Sequence, residues 1–312
     1  MKRNNIVFLL SISFGMALTG SCKRDTLETS EVPAAGNYSS IESFYTQNGA
    51  ELQTYIINPT EDNFIIGESG TRIIIPGNSL FDENGLPPAG SLAVNLREVY
   101  DIKTMVLSHI PTTSNGNILQ SAGMFYLHFD ANNISYSPDT ALTVLMPSAG
   151  TIPGMKIYYG EPDLNSGMNW VVDSSSFVSD SLNTFYWFAF DSLGYGWINC
   201  DMFYQSGNPS DVIITTQVSS ERNETVDLEI YLLFPSINST MKVGNMAGPQ
   251  TITAGNIPVG MQAVAAAIGV GRITHKAYFG KINFTVSAPQ SNISVSVVQM
   301  TDQQIFNSLS NL

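Results

Sequence analysis

The chain is predicted to be all-β: two antiparallel β-sandwich domains with a short C-terminal helix. Three observations predict this. Apolar and polar residues alternate with period two in run after run, turn-forming clusters separate the runs, and helical periodicity appears only near the end.

Alternation is clearest in three stretches. Leu92, Val94 and Leu96 alternate with Ala93, Asn95 and Arg97, and Phe125, Leu127 and Phe129 with Met124, Tyr126 and His128. Val226, Leu228, Ile230, Leu232 and Phe234 share one face, opposite Asp227, Glu229 and Tyr231. Each pattern predicts a half-buried antiparallel strand with one face in the core and one in water. Further strands are predicted over 71–75, 141–146, 185–190, 212–218, 276–286 and 293–298. Between them lie Asp82-Glu83-Asn84-Gly85, Ser114-Asn115-Gly116-Asn117, Ser206-Gly207-Asn208-Pro209 and Ala254-Gly255-Asn256, all read as turns. Near the end, Thr301 with Gln304 three residues on forms a capping box, and Ile305, Phe306 and Leu309 make an apolar stripe. That helix is expected to cover a sheet edge or end.

The N-terminus reads as an export signal. Met1-Lys2-Arg3-Asn4-Asn5 is basic, and Ile6 to Leu18 is an apolar run of 13 residues broken only by Ser11, Ser13 and Gly15. A bilayer span needs ~20, so the run has the length of a signal-peptide core. Leu18-Thr19-Gly20-Ser21-Cys22 resembles the bacterial lipobox, with Leu one place further from Cys than usual. The resemblance implies lipidation of the Cys22 sulfur, and acyl chains anchor at ~0.8 kcal/mol per buried CH₂. Residues 23–40 carry Asp25, Glu28, Glu31, Pro33 and Gly36 with almost no large apolar residue, the composition of a flexible tether. Lys23 is not the Asp that retains many Gram-negative lipoproteins in the inner membrane, which favours the outer membrane. The expected organisation is therefore 1–21 signal peptide, 22–40 tether, 41–150 first sandwich and 151–312 second sandwich.

Charge narrows the partners. The formal net charge is −13; removing residues 1–21 takes away Lys2 and Arg3 and leaves 11 basic against 26 acidic side chains, or −15. Such a body repels phosphate backbones, so nucleic acid is not an expected partner. With Cys22 acylated, Cys200 has no disulfide partner, and its neighbours Trp197, Ile198 and Asn199 suggest a buried thiol.

The succession Gly70-Thr71-Arg72-Ile73-Ile74-Ile75-Pro76-Gly77-Asn78-Ser79-Leu80-Phe81, Val94-Asn95-Leu96-Arg97-Glu98, Thr112-Thr113-Ser114-Asn115-Gly116, Leu119 and Gly123-Met124 resembles a ZU5-like domain over about 64–147. The resemblance implies a β-sandwich used for protein interaction, in bacteria often within cell-surface lipoproteins. Trp170 and Gly194-Tyr195-Gly196-Trp197-Ile198-Asn199-Cys200-Asp201 resemble the C-terminal halves of those lipoproteins. Some ZU5 proteins cleave themselves at a His-Phe-Ser step; here His128-Phe129-Asp130 lacks the hydroxyl nucleophile.

No catalytic constellation, metal site or cofactor motif is expected. His109, His128 and His275 are isolated in sequence, outside any metal-ligand spacing. Asp82, Asn84 and Gly85 lack the later acid of a calcium loop. Glu161, Asp163, Asp173 and Asp180 could supply the paired acids of glycoside hydrolysis, but their Asn-, Ser- and Gly-rich setting suits turns better. Aromatics crowd 158–204, where Trp170, Trp187 and Trp197 are the candidate contacts for a ligand or partner. The favoured reading is a non-enzymatic, lipid-anchored envelope interaction or scaffold protein. The alternative is a surface lipoprotein that binds or hydrolyses polysaccharide through 158–204.

Overall fold

Strand runs through the computed structural model, which describes residues 36–312 except 164–166, 175–176, 182, 192–195, 205–206 and 222. The signal core, Cys22 and most of the predicted tether lie outside the described residues. The chain order is α1 (Ile41–Asn48), β1 (Gln53–Ile57), β2 (Asn63–Ile66), β3 (Arg72–Ile75), β4 (Leu80–Phe81) and β5 (Leu92–Val99). There follow α2 (Ile102–Leu107), β6 (Thr113–Ser114), β7 (Asn117–Ala131), β8 (Ile134–Pro138) and β9 (Leu142–Pro147). Then come β10 (Lys156–Asp163), β11 (Gly167–Val172), β12 (Ser179–Ser181), β13 (Phe185–Phe190) and β14 (Trp197–Phe203).

These strands form two facing sheets. One runs β1-β5-β7-β14-β10-β11, with β4, β6 and β8 attached at its margin; the other runs β12-β13-β9-β3-β2. Alternation decides which side chains meet between them: Val94, Leu96, Phe125, Leu127 and Ile198 from the first sheet against Ile73, Val144 and Phe188 from the second. Each such fully buried side chain contributes ~1.5–3 kcal/mol. Predicted turns behave as written at two places. Asp82 Oδ1 accepts from the Asn84 and Leu86 amides, and Asn115-Gly116, both at positive φ, join β6 to β7.

The expected boundary at 150/151 falls inside this sandwich. β13 pairs with β9, and β14 pairs with both β7 and β10, so residues 156–203 complete the sheets begun by 53–147. The physical reason is burial: without β13 and β14, Phe125, Val144 and Met146 would lose their cover. The passage to the next core comes after β14.

The second body contains β15 (Pro209–Ser219), β16 (Val226–Phe234), β17 (Ser239–Ala247), β18 (Thr251–Pro258), β19 (Gln262–Gly271), β20 (Ala277–Thr285), β21 (Gln290–Gln299) and α3 (Asp302–Ser310). Its sheet order is β17-β16-β19-β20-β21-β15-β18, and inward side chains from all seven strands share one core, among them Ile214, Leu232, Ala265, Tyr278 and Val297. One pair, β15 with β21, is parallel rather than antiparallel. The long path through β16–β20 supplies the crossover that a parallel pair needs.

Three local expectations are corrected. β16 is buried on both faces rather than half-buried, because α1, α2 and α3 pack on the side bearing Tyr231 and Leu233. Ala254-Gly255-Asn256 lies within β18; the register slips there opposite Asp211, so it is a bulge and not a turn. Of the tether, residues 36–40 are built into the body: Tyr38 is 2% exposed and its amide donates to His275 O, while Ser40 caps α1.

α3 forms as predicted, with the Thr301–Gln304 capping box closed, but it lies on the face of the interior strands β19 and β20, where Ile305 and Leu309 are buried, and not at an edge or end. α1 and α2 are additional. Ser40 and Ser43 cap α1 reciprocally, and Asp101 caps α2 through the Thr104 amide.

The two bodies meet through apolar packing of α1 and α2 on the second sheet and of Ile118 in its core, and through hydrogen bonds across the seam. Thr112 N donates to Thr240 O at 2.8 Å, and Thr240 N donates back to Thr112 Oγ1 at 2.8 Å. Asn238 Nδ2 reaches Tyr100 O and Ser121 O at 3.0 and 3.3 Å.

Candidate functional site: an aromatic groove beside the seam

Cross-strand register builds the floor of a groove. On the solvent side of the larger sheet of the first sandwich, Trp197 stands opposite Tyr126, and Tyr126 opposite Arg97. The next row places His128 opposite Asn95 and Asn95 opposite Thr54. These are the polar alternates of strands whose other residues fill the core. The wall is α1 with the chain that leaves it (Glu42, Tyr45, Thr46, Ala50, Leu52) and the turn after α2 (Ser108, His109). The enclosed volume is about 560 Å³.

The aromatic rings are set by local geometry. Tyr126 and Trp197 lie 5.4 Å apart at 52°, and Tyr126 and His128 lie 6.2 Å apart at 25°. Gly196, at φ +88°, makes this possible. A Cβ there would sit 2.6 Å from Tyr126 Cε2, and an L side chain disfavours that backbone conformation. Burial raises the Tyr126 phenol above its ordinary range. Arg97 is aimed by its Nη1, which donates to Ala50 O at 2.6 Å, and the Ala50 amide is held by Ser108 Oγ at 2.9 Å.

Behind the wall lies a buried polar cluster that ties the groove to the second body. The His109 ring stacks on Tyr45 at 4.7 Å and 6°. Its Nε2 is 3.0 Å from Glu229 Oε2 and 2.8 Å from Lys242 Nζ, so at any moment it serves one of the two. Lys242 Nζ donates to Glu229 Oε1 at 2.9 Å, and Tyr231 OH donates to Glu229 Oε2 at 2.8 Å and faces Tyr45 OH at 3.2 Å. Burial by itself would raise Glu229, but hydrogen bonds and charge from His109 and Lys242 outweigh it and hold the carboxyl at about 2. Tyr231 and Tyr45 are pushed up, first by burial and then by the neighbouring charge.

The three candidate tryptophans do not converge. Trp170 is fully buried and donates its Nε1–H to Pro111 O at 2.7 Å. Trp187 is 39% exposed on the outer face of the smaller sheet, beyond the core from Trp197. Trp197 alone of the three lines the groove. Tyr158, Tyr186 and Phe188 are core residues, so 158–204 as a stretch forms no single surface. Cys22 lies outside the described residues. Cys200 is buried and free, and burial raises its thiol well above the ordinary value.

Glu161, Asp163, Asp173 and Asp180 do not line the groove; Glu42 is its one carboxylate. Asp180 caps a turn through the Asn183 amide. Among the described residues no three His, Cys, Asp or Glu side chains gather as for a metal ion, and no helix is long and apolar enough to cross a membrane. Sequence reading placed Asn95, Arg97, Tyr126 and His128 on outward faces without joining them into a site, and it missed the meeting of His109, Glu229 and Lys242. Register and a contact between distant segments bring these together, and neither leaves a short-range signal.

No known family matches the chain, and neither does any curated protein. The ZU5-like succession over 64–147 therefore stands on its motifs alone. Among solved structures, the chain is similar to a bacterial adhesin from Mobiluncus mulieris that contains intramolecular disulfide, isopeptide and ester bond cross-links. Identity is 8%, coverage is 80% of this chain and 98% of that one, and the TM-score is 0.20. It is also similar to the pilus-presented adhesin Spy0125, at 10% identity, 80% and 94% coverage and a TM-score of 0.19. Likeness at that TM-score carries no argument about function.

Proposed function

We propose that this chain is a lipid-anchored protein of the bacterial cell envelope, of the outer membrane, that recognises a partner through the aromatic groove. The observation that carries the reading is the groove itself: Trp197, Tyr126, Arg97, Asn95 and His128 are presented together on a sheet face, beside a seam that fixes the wall against the floor. Lipidation at Cys22 rests on the short signal core and the lipobox-like stretch before the cysteine. The role is recognition rather than catalysis. The one carboxylate that lines the groove, Glu42, does not supply the paired acids of glycoside hydrolysis. This reading keeps the glycan alternative open as a question of ligand, but moves it from 158–204 as a whole to the groove.

Metabolic labelling with a palmitate analogue tests the anchor. The wild-type chain should take up label and fractionate with membrane, and Cys22→Ala should do neither. Label that persists in Cys22→Ala would sink the assignment.

A further inference from the structure

The groove holds more chemistry than a docking face requires. Its floor strands β5, β7 and β14 each have neighbours on both sides, so their backbone groups are engaged in the sheet and no peptide can add as a further strand there. Recognition must run through side chains. Among the described residues, Trp197 Nε1, Tyr126 OH and Asn95 Nδ2 make no hydrogen bond within the protein, although all three side chains are half-buried. Arg97 spends one donor on Ala50 O and keeps its others. The site thus offers two ring faces at a fixed tilt with unpaired donors around them. A pyranose ring has the complementary form: one face of C–H groups to lie on an aromatic ring, and a rim of hydroxyls to accept and donate.

Charge refines the class. Arg97 is the one Lys or Arg that lines this groove, against the lining carboxylate of Glu42 and with Asp130 within electrostatic reach of Tyr126, while His109 is already held by Glu229 and Lys242. A guanidinium fork beside a sugar platform matches a carboxylate in the sugar plane.

We infer that the groove binds a carboxylate-bearing saccharide of the uronic-acid class, a sugar ring lying on Trp197 and Tyr126 with its carboxylate on Arg97. The inference deepens the recognition reading above and is independent of the lipid at Cys22, so failure here leaves the labelling result standing.

The test is calorimetric titration of the detergent-solubilised full chain with short oligogalacturonates and with cello-oligosaccharides of equal length, at fixed ionic strength. The acidic probe should bind saturably and at least tenfold tighter than the neutral one. Trp197→Ala should weaken it about tenfold or more, as expected for loss of ~1.4 kcal/mol of stacking, whereas Trp197→Phe, which keeps a ring face, should retain most of the affinity. Arg97→Gln should bring acidic and neutral probes to similar affinity. Thermal midpoints of all three variants identify any that merely unfold, and for such a variant the comparison rests on the others. Absence of saturable binding by the wild-type chain, equal binding of both probes, or an acid preference that survives Arg97→Gln would overturn the inference.

Discussion

Glu229 should make the protein acid-sensitive in a way that one substitution removes. Its carboxyl is 4% exposed and held at about 2 by His109 and Lys242, against an ordinary value of 4.5. A folded-state value below the unfolded one means the stabilisation is fully present above the unfolded value. It is lost as pH falls from about 4.5 to about 2. At about 1.4 kcal/mol per unit, the depression is worth on the order of 3 kcal/mol, and the burial of the side chain calls for no discount for solvent screening. Glu229→Gln keeps the shape and one acceptor oxygen, enough for Tyr231 or Lys242 but not for both, and it does not titrate. The assay is urea unfolding at a series of pH values from 7 down to about 2, wild type against Glu229→Gln. The wild-type curve should fall more steeply below about pH 5, so that the gap between the two proteins at neutral pH narrows by roughly 2–3 kcal/mol at the acid end. Parallel pH profiles for the two proteins would refute the linkage.

Two further outcomes follow from the packing. Cys200, buried and free with its thiol raised by burial, should react with a thiol reagent only slowly until the protein is denatured; rapid labelling of the native chain at neutral pH would place it at the surface. Gly196→Ala should lower the thermal midpoint by several degrees, for ~1–2 kcal/mol of backbone strain plus displacement of the Tyr126 ring, and an unchanged midpoint would show that the loop before β14 relaxes freely.

Strand identity was legible where a long alternation leaves one face wet, though short or irregular half-wet strands such as β1, β2, β10 and β18 were not predicted. β5, β7 and β13 follow their alternation, because a period-two pattern and a half-wet sheet are the same fact seen twice. Legibility failed where that condition failed. β16 carries Glu229 on what looks like a solvent face, yet helices cover it, and the carboxylate is tolerated because Lys242 and His109 come from elsewhere in the chain to meet it. α1 escaped notice because Ser43 does the work usually given to Glu or Gln in a capping box, and only Ile41, Phe44 and Tyr45 mark its buried side. The sandwich limit was misplaced for a related reason. The ZU5-like motifs end near Pro147, while the hydrogen-bonding needs of β7 and β9 are met only by β14 and β13, some forty to eighty residues further on.

The same long-range dependence shapes the groove. Its floor belongs wholly to the first sandwich, and its wall comes from α1 and the turn after α2. Those two helices bury Ile41, Phe44, Ile102 and Val106 against Tyr231, Leu233 and Ala266 of the second sheet. His109, at φ +59°, stands where the two influences meet: the turn after α2 sets its backbone, Tyr45 of α1 stacks on its ring, and Glu229 and Lys242 of the second sheet hold its Nε2. Non-glycine residues rarely hold a left-handed conformation, and do so where surrounding contacts over-determine it. The wall is therefore positioned by the second body and the floor by the first, with the Thr112–Thr240 hydrogen bonds closing the angle between them. Neither body alone would present the groove, which gives a physical reason for the two sheets to be joined by packed helices and hydrogen bonds instead of a flexible linker.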